Sequence, residues 1–318
     1  MSIMNRMTSD IAAIVDMFPV LDLSDIPKAR ADSLAITSML KVPVDPDVAT
    51  RDLIAPGRDE HPPVRLREFR PKAAIGKHLP AVLWVQGGGY VITSTTMDDG
   101  WCQELALSHQ CIVYSVDWRR SPEHPFPAAS EDCYTGLSYI IHSAEDLGID
   151  LDRVVIAGNS SGGGSAASLA LLVRDRAEFS VAHQLLIYPM IDDRNDTPSA
   201  KLVTDPKVWN NQRNEYAWRA YLGDAYGTDQ VSPYAAPSRM QDMAGSIPAS
   251  ILTGELDLFR DENIIYAMRL MAANVPTELY VYPGAPHGFE RLAPDASISR
   301  QFFVDRDAIL RRVFGIDA

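Results

Sequence analysis

With 318 residues, 46% of them hydrophobic, the chain is long enough to bury one large core, and a charged content of 22% with near-average glycine and proline excludes wholesale disorder. The 29 Lys and Arg stand against 42 Asp and Glu, and the net charge of −13 repels phosphate backbones and anionic headgroups, which excludes nucleic acid as a partner. No run of about 18 apolar residues occurs, so no membrane span is expected.

Met1–Leu23 is interrupted by Asp10, Asp16 and Asp22, which breaks any secretory apolar run and points to a cytoplasmic location. The three cysteines, Cys102, Cys111 and Cys133, match no metal spacing and cannot all pair, so they read as reduced, mostly buried thiols.

In chain order, residues 1–45 carry a helical pattern with apolar Ile11, Ile14, Val15 and Phe18. Segments near Asp52–Ala55 and at Val64–Phe69 read as the antiparallel beginning of a sheet. Short apolar runs then alternate with longer amphipathic ones. Strands are expected at Ala81–Val85, Cys111–Val116, Arg153–Ala157, Gln184–Tyr188, Ala249–Thr253 and Glu278–Tyr282. Helices are expected at Trp101–Ser108, Ala128–Leu147, Gly162–Arg176, Glu262–Ala273 and Ser297–Val313. This alternation predicts a mostly parallel sheet with helices on both faces.

Residues 195–240 intrude between two core strands and hold an aromatic helix with Val208, Trp209, Trp218, Tyr221 and Leu222. The organisation read from this is a helical cap in two parts, 1–45 and 195–240, over a core made of 46–194 and 241–318. A cap over the carboxyl ends of the strands would wall a pocket there.

Val154-Val155-Ile156-Ala157 runs into Gly158-Asn159-Ser160-Ser161-Gly162, then into a helix. A G-x-S-x-G turn between strand and helix thrusts a serine hydroxyl outward, and the helix N-terminus faces developing negative charge. Ser160 is therefore the candidate nucleophile. The strand Ala81–Val85 ends in Gln86-Gly87-Gly88-Gly89-Tyr90, where glycines let the backbone approach a ligand closely. The N–H groups of Gly88, Gly89 and Ser161 are the candidate oxyanion donors.

His287 follows the last core strand in Pro283-Gly284-Ala285-Pro286-His287-Gly288 and is the candidate base. Its rival His124, in Pro122-Glu123-His124-Pro125, reads as a structural residue. After the strand Ala249–Thr253 four acids compete. Asp257 lies at the centre of the loop, Glu255 can brace the turn, and Asp261 and Glu262 suit the first turn of the next helix. The order Ser160, Asp257, His287 is that of the α/β hydrolases.

Together with Asp117–Ala129, Asp192–Ser199 and Ser232–Pro237, these motifs resemble the hormone-sensitive-lipase-like esterases, bacterial family IV, from about residue 50 onward. The resemblance implies an α/β-hydrolase fold: a mostly parallel eight-stranded sheet flanked by helices, with a helical cap. It implies a serine carboxylesterase acting on small-molecule esters with short or medium acyl chains through an acyl-enzyme, without a cofactor or metal, and it admits a homodimer. The chain departs from the family at Gln86, where histidine is usual, at Asn159 and Ser161, where Asp and Ala are common, and at Leu258, where proline is usual.

Amide, lactone or carbamate cleavage would use the same triad. A non-catalytic receptor of the same fold would lack a working triad histidine, whereas His287 is present. Trp209 and Trp218 read equally as pocket walls or as packing within the cap, and Tyr90, Phe259 and Phe289 flank the proposed loops as weaker pocket candidates.

Overall fold

A computed structural model describes residues 3–17, 19–39, 42–74, 78–94 and 96–316. Among them eight strands form one sheet: β1 (Val48–Ala55), β2 (Val64–Pro71), β3 (Leu79–Val85), β4 (Ile112–Asp117), β5 (Ile149–Asn159), β6 (His183–Ile187), β7 (Ala249–Gly254) and β8 (Thr277–Tyr282). Their order is β1-β2-β4-β3-β5-β6-β7-β8. β2 pairs antiparallel with β1 and β4, and all other pairs are parallel.

The helices are α1 (Ser9–Met17), α2 (Ile26–Met39), α3 (Asp99–His109), α4 (Ala128–His142), α5 (Ala144–Leu147), α6 (Ser161–Arg176), α7 (Pro198–Leu202), α8 (Asn211–Leu222), α9 (Arg260–Ala272), α10 (Phe289–Leu292) and α11 (Ser297–Phe314). This is the α/β-hydrolase arrangement. β3, β6 and β7 are buried along their whole length, as covered parallel strands must be, whereas the edge strand β8 is half exposed.

The strand order reverses at β4-β3-β5, where ligand crevices open in α/β sheets. Val85 of β3 stands opposite Gly158 of β5, and Gly254 of β7 opposite Tyr282 of β8. The loops that follow these four strands therefore leave the same edge of the sheet.

Several boundaries differ from the sequence expectation. β5 begins at Ile149, four residues early, because its first half pairs with β3 only through Leu79 and carries half-buried Asp150 and exposed Leu151 and Asp152. The helix expected over Ala128–Leu147 breaks at Ser143 into α4 and α5. Val208 and Trp209 precede α8 rather than lie in it, because the Asn210 side chain accepts the Arg213 N–H and starts the helix there.

Ile11 and Val15 of α1 are buried, Ile14 packs partly buried against the core, and Phe18 lies outside the described residues. Arg30 of α2 reaches Val91 C=O at 2.7 Å, Ser121 C=O at 2.8 Å and Glu123 at 2.6 Å. Lys207 donates to Asp16 C=O at 2.6 Å, joining α1 to the 195–240 segment. No described helix is long and apolar enough to cross a membrane, and all three cysteines are buried and free.

Candidate active site

At the end of β5 the chain turns into α6 around Ser160, whose φ of 56° and ψ of −125° are a conformation that a residue with a side chain holds only under constraint. The backbone supplies the constraint. Ser160 N–H donates to Ile187 C=O, and its C=O accepts from the N–H groups of Gly164 and Met190, each at 2.9 Å. The turn also requires its glycines. A Cβ on Gly162 would stand 2.0 Å from the Val85 carbonyl oxygen, and one on Gly158 would stand 2.4 Å from that of Gly162.

The loops after β7 and β8 are laced together. Leu256 N–H donates to Ala285 C=O at 2.9 Å, and Gly284 N–H donates to Glu255 Oε2 at 3.0 Å, so Glu255 does brace the turn. This brings His287 between Ser160 and Asp257. His287 Nε2 lies 2.9 Å from Ser160 Oγ, and Nδ1 lies 2.7 Å from Asp257 Oδ2.

The second oxygen of Asp257 accepts the Phe259 N–H at 2.9 Å, and the carboxylate is fully buried. A carboxylate only accepts, so Nδ1 carries the proton and Nε2 is free to accept from the serine. Tyr188 and Phe259 meet the imidazole edge-on at 4.5 and 5.1 Å between centroids, which holds the ring plane.

The other acids near Asp257 are occupied. Asp261 accepts the Ser199 N–H at 2.7 Å, and Glu262 accepts those of Ile191 and Asp192 at 2.8 and 3.1 Å. Burial holds the Glu262 carboxyl well above the usual range. His124 is exposed and is hydrogen-bonded through its backbone N–H to Arg120 C=O.

Beside the serine, the glycine loop folds back on itself as Gly88 C=O accepts from Val91 and Ile92 N–H at 3.0 and 2.9 Å. Gly88 and Gly89 have φ of +126° and +58°, positions that glycine fills without strain. Gly87 N–H donates to Asn159 Oδ1 at 2.8 Å, so the amide provides the loop support that a carboxylate oxygen would. Buried Gln86 accepts from Ser115 Oγ at 3.4 Å. Ser161 is the first residue of α6 and fully buried.

The aromatic candidates divide. A Cβ on Gly89 would strike the Trp209 ring at 2.3 Å, so this indole lies directly on the glycine loop, and its centroid is 6.4 Å from that of His287. Trp218 is fully buried and packs with Tyr90 and Tyr221, whose rings stack at 3.8 Å. Phe289 is equally buried, against Tyr282 and Phe302. A cavity of about 820 Å³ opens beside His287, walled by Ile36, Val42, Met97, Trp101 and Phe303 among others.

Sequence reasoning did not single out Tyr188 or Glu290. The Tyr188 phenol donates to Glu290 Oε1, and both residues are buried next to His287. The signal was an acid three residues after the candidate base.

Residues 82–291 match a family model described as the alpha/beta hydrolase fold. This chain belongs to the α/β-hydrolase family. Within that family it falls on the hormone-sensitive-lipase-like branch. It is 33% identical over 248 residues to the esterase LipI of Mycobacterium tuberculosis, covering 78% of this chain and 77% of that protein. An ethyl acetate hydrolase of Pseudomonas putida is also 33% identical, with the same coverage of each chain. A bacterial heroin esterase superposes with a TM-score of 0.94 at 36% identity, covering 98% of this α/β hydrolase and 99% of that chain. A hyperthermophilic esterase from the archaeon Pyrobaculum calidifontis does so with a TM-score of 0.85 at 30% identity, covering 98% and 100%. With these relatives, the chain is an enzyme of the carboxylic ester hydrolase class.

Proposed function

We propose that this hydrolase cleaves small carboxylic esters by two-step acyl transfer. His287 takes the proton of Ser160 as its oxygen attacks the ester carbonyl. Asp257 keeps the imidazole in the required tautomer and stabilises its cation. The N–H groups of Gly88, Gly89 and Ser161 hold the tetrahedral oxyanion. His287 then protonates the leaving alcohol, and water, deprotonated by the same histidine, releases the acid. These steps use only groups of the chain, the ester and one water molecule.

The observation that carries the reading is the hydrogen-bonded series Ser160 Oγ, His287 and buried Asp257, at 2.9 and 2.7 Å, on a constrained turn beside the glycine loop. In this reading the Trp209 indole, which lies against Gly89 of the glycine loop, walls the acyl side of the site and favours short to medium acyl chains. The Pseudomonas relative named for ethyl acetate agrees with it. The cavity beside His287 suits the alcohol part, because His287 hands its proton to the alcohol oxygen. In this reading residues 1–45 and 195–240 are the two parts of the cap, and the site of action is cytoplasmic, which cell fractionation would check.

The test compares wild type and Ser160→Ala on p-nitrophenyl esters from acetate to long acyl chains. A short-chain maximum that collapses by about a millionfold in kcat is expected. Turnover that persists in the purified variant would remove Ser160 from the mechanism. A maximum on long chains would remove the acyl preference.

A further inference from the structure

Asn195 belongs to the Asp192–Ser199 motif, which takes no part in the acyl transfer, and in the fold it meets the first turn of α8. Its side chain joins those of Asn211 and Asn214 in a hydrogen-bonded series that ends on Trp209. The Trp209 indole N–H donates to Asn214 Oδ1 at 3.3 Å, and the Asn214 NH₂ donates to Asn195 Oδ1 at 2.9 Å. The Asn195 NH₂ donates to Asn211 C=O at 2.9 Å, and the Asn211 NH₂ returns to Asn195 C=O at 3.2 Å.

The two ends of the series fix the amides between them. An indole N–H only donates, so Asn214 turns its oxygen to Trp209 and its nitrogen to Asn195. A backbone carbonyl only accepts, so Asn195 turns its nitrogen to Asn211 and its oxygen to Asn214. The two requirements agree, and neither amide can flip without setting like groups against each other. Asn214 is fully buried, so its amide must find its partners within the protein. Asn195 holds φ +53°, a conformation that asparagine tolerates better than most side chains.

The backbone and the ring of Trp209 are held separately. The residue precedes α8, and the Arg213 guanidinium donates to Val208 C=O at 2.9 Å and to Pro206 C=O at 2.6 Å, tying down the chain that leads into it. Asn214 grips the indole nitrogen instead. The benzo edge of the ring then lies on the glycine loop, with Cη2 and Cζ2 only 2.3 and 2.7 Å from where a Gly89 Cβ would stand. Rotation about the side-chain torsions would lift that edge off Gly89, and the bond to Asn214 opposes it.

We propose that Asn214, braced by Asn195, is a positioning residue that keeps the Trp209 indole on Gly89 and so sets the acyl length the site accepts. The proposal rests on Trp209 walling the acyl side. Cutting the series frees the ring to swing away, which opens room for longer chains while Ser160, His287 and Asp257 keep their own bonds.

The experiment uses the full-length chain with Trp209→Ala, Asn214→Leu, Asn195→Gly and the Trp209→Ala/Asn214→Leu double variant. It reads kcat/KM on p-nitrophenyl acetate and octanoate. Proton–nitrogen NMR follows hydrogen exchange of the Trp209 indole N–H, the one of five tryptophan signals that Trp209→Ala removes. Trp209→Ala should raise the octanoate-to-acetate ratio by about tenfold or more, the scale on which apolar pockets discriminate chain length.

Asn214→Leu keeps a branched side chain without the acceptor and should raise the ratio by about fivefold, with acetate turnover within about threefold of wild type. Asn195→Gly is unstrained at positive φ and should raise it by about twofold. In both, the Trp209 indole N–H should exchange faster than in wild type. The double variant should match Trp209→Ala, because Asn214 acts only through the indole.

An unchanged ratio in either asparagine variant, including the equal losses on both esters that general loosening would give, would overturn the proposal. So would a double variant whose ratio exceeds that of Trp209→Ala. Should Asn214→Leu not fold, Asn195→Gly, which removes only a half-buried side chain, decides the matter by its ratio and its indole exchange. An unchanged ratio in Trp209→Ala itself would instead defeat the reading that Trp209 walls the acyl side, and the proposal with it.

Discussion

Replacing Asp257 by asparagine should invert the tautomer of His287 without moving the ring. Asp257 uses both its oxygens, one 2.7 Å from His287 Nδ1 and the other accepting the Phe259 N–H at 2.9 Å. Asparagine has one acceptor. The Phe259 N–H can only donate, so it claims the side-chain oxygen and turns the amide nitrogen toward His287. That nitrogen donates to Nδ1, the imidazole proton moves to Nε2, and a donor then faces Ser160 Oγ where a base is required.

The two side chains have nearly the same volume, so no cavity opens and the melting temperature should hold within a few degrees. Loss of the correct tautomer in Ser-His-Asp sites costs about 10⁴ in kcat, roughly 5.5 kcal/mol of transition-state stabilisation at 1.36 kcal/mol per decade. The assay is kcat on a p-nitrophenyl ester, with active-site titration to count contaminating wild type. A loss of less than about tenfold would refute the argument. Asp261 and Glu262 are held by backbone N–H groups and Glu255 by Gly284 N–H, so no neighbouring acid stands ready to compensate.

Two predictions concern the scaffold. Burial lowers the His183 pKa to about 4, with its Nε2 at 2.9 Å from Ser250 Oγ, so the fold favours the neutral ring and the unfolded chain protonates first. That stabilisation is fully present above pH 6.5 and is lost as pH falls to about 4, by up to about 3 kcal/mol. Urea unfolding of His183→Gln should show a flatter stability profile across this window, and an unchanged profile would contradict it. Gly162→Ala drives a methyl group to 2.0 Å from the Val85 carbonyl and should cost more than about 4 kcal/mol of stability. A loss under about 1 kcal/mol in the same unfolding assay would contradict the steric argument.

The sheet was legible in the sequence wherever both faces are covered. β3, β6 and β7 read as unbroken apolar runs because helices lie on each side. The reading failed where burial is partial. The first half of β5 sets buried Ile149 beside half-buried Asp150 and exposed Leu151 and Asp152, and β1 mixes exposed Arg51 and Asp52 into its pattern, so neither start stood out. The start of the helix within 195–240 differs for another reason. Val208 and Trp209 fit the apolar spacing, yet Asn210 is the N-cap and the helix begins only after it.

At the site, legibility followed from whether a role is written locally. Ser160, Asp257 and His287 each follow a strand and sit among turn-forming residues, so the position of each was readable without knowing the others. The direction of a hydrogen bond is not local. Tyr188 could be read as the end of a strand, but the carboxyl that takes its phenol's hydrogen bond lies 102 residues on at Glu290. Asn159 illustrates the difference most clearly. As a sequence departure it looked like the loss of a carboxylate beside the nucleophile. In the fold its amide oxygen still accepts the Gly87 N–H at 2.8 Å, the bond a carboxylate oxygen would make, so the loop keeps its support without the charge.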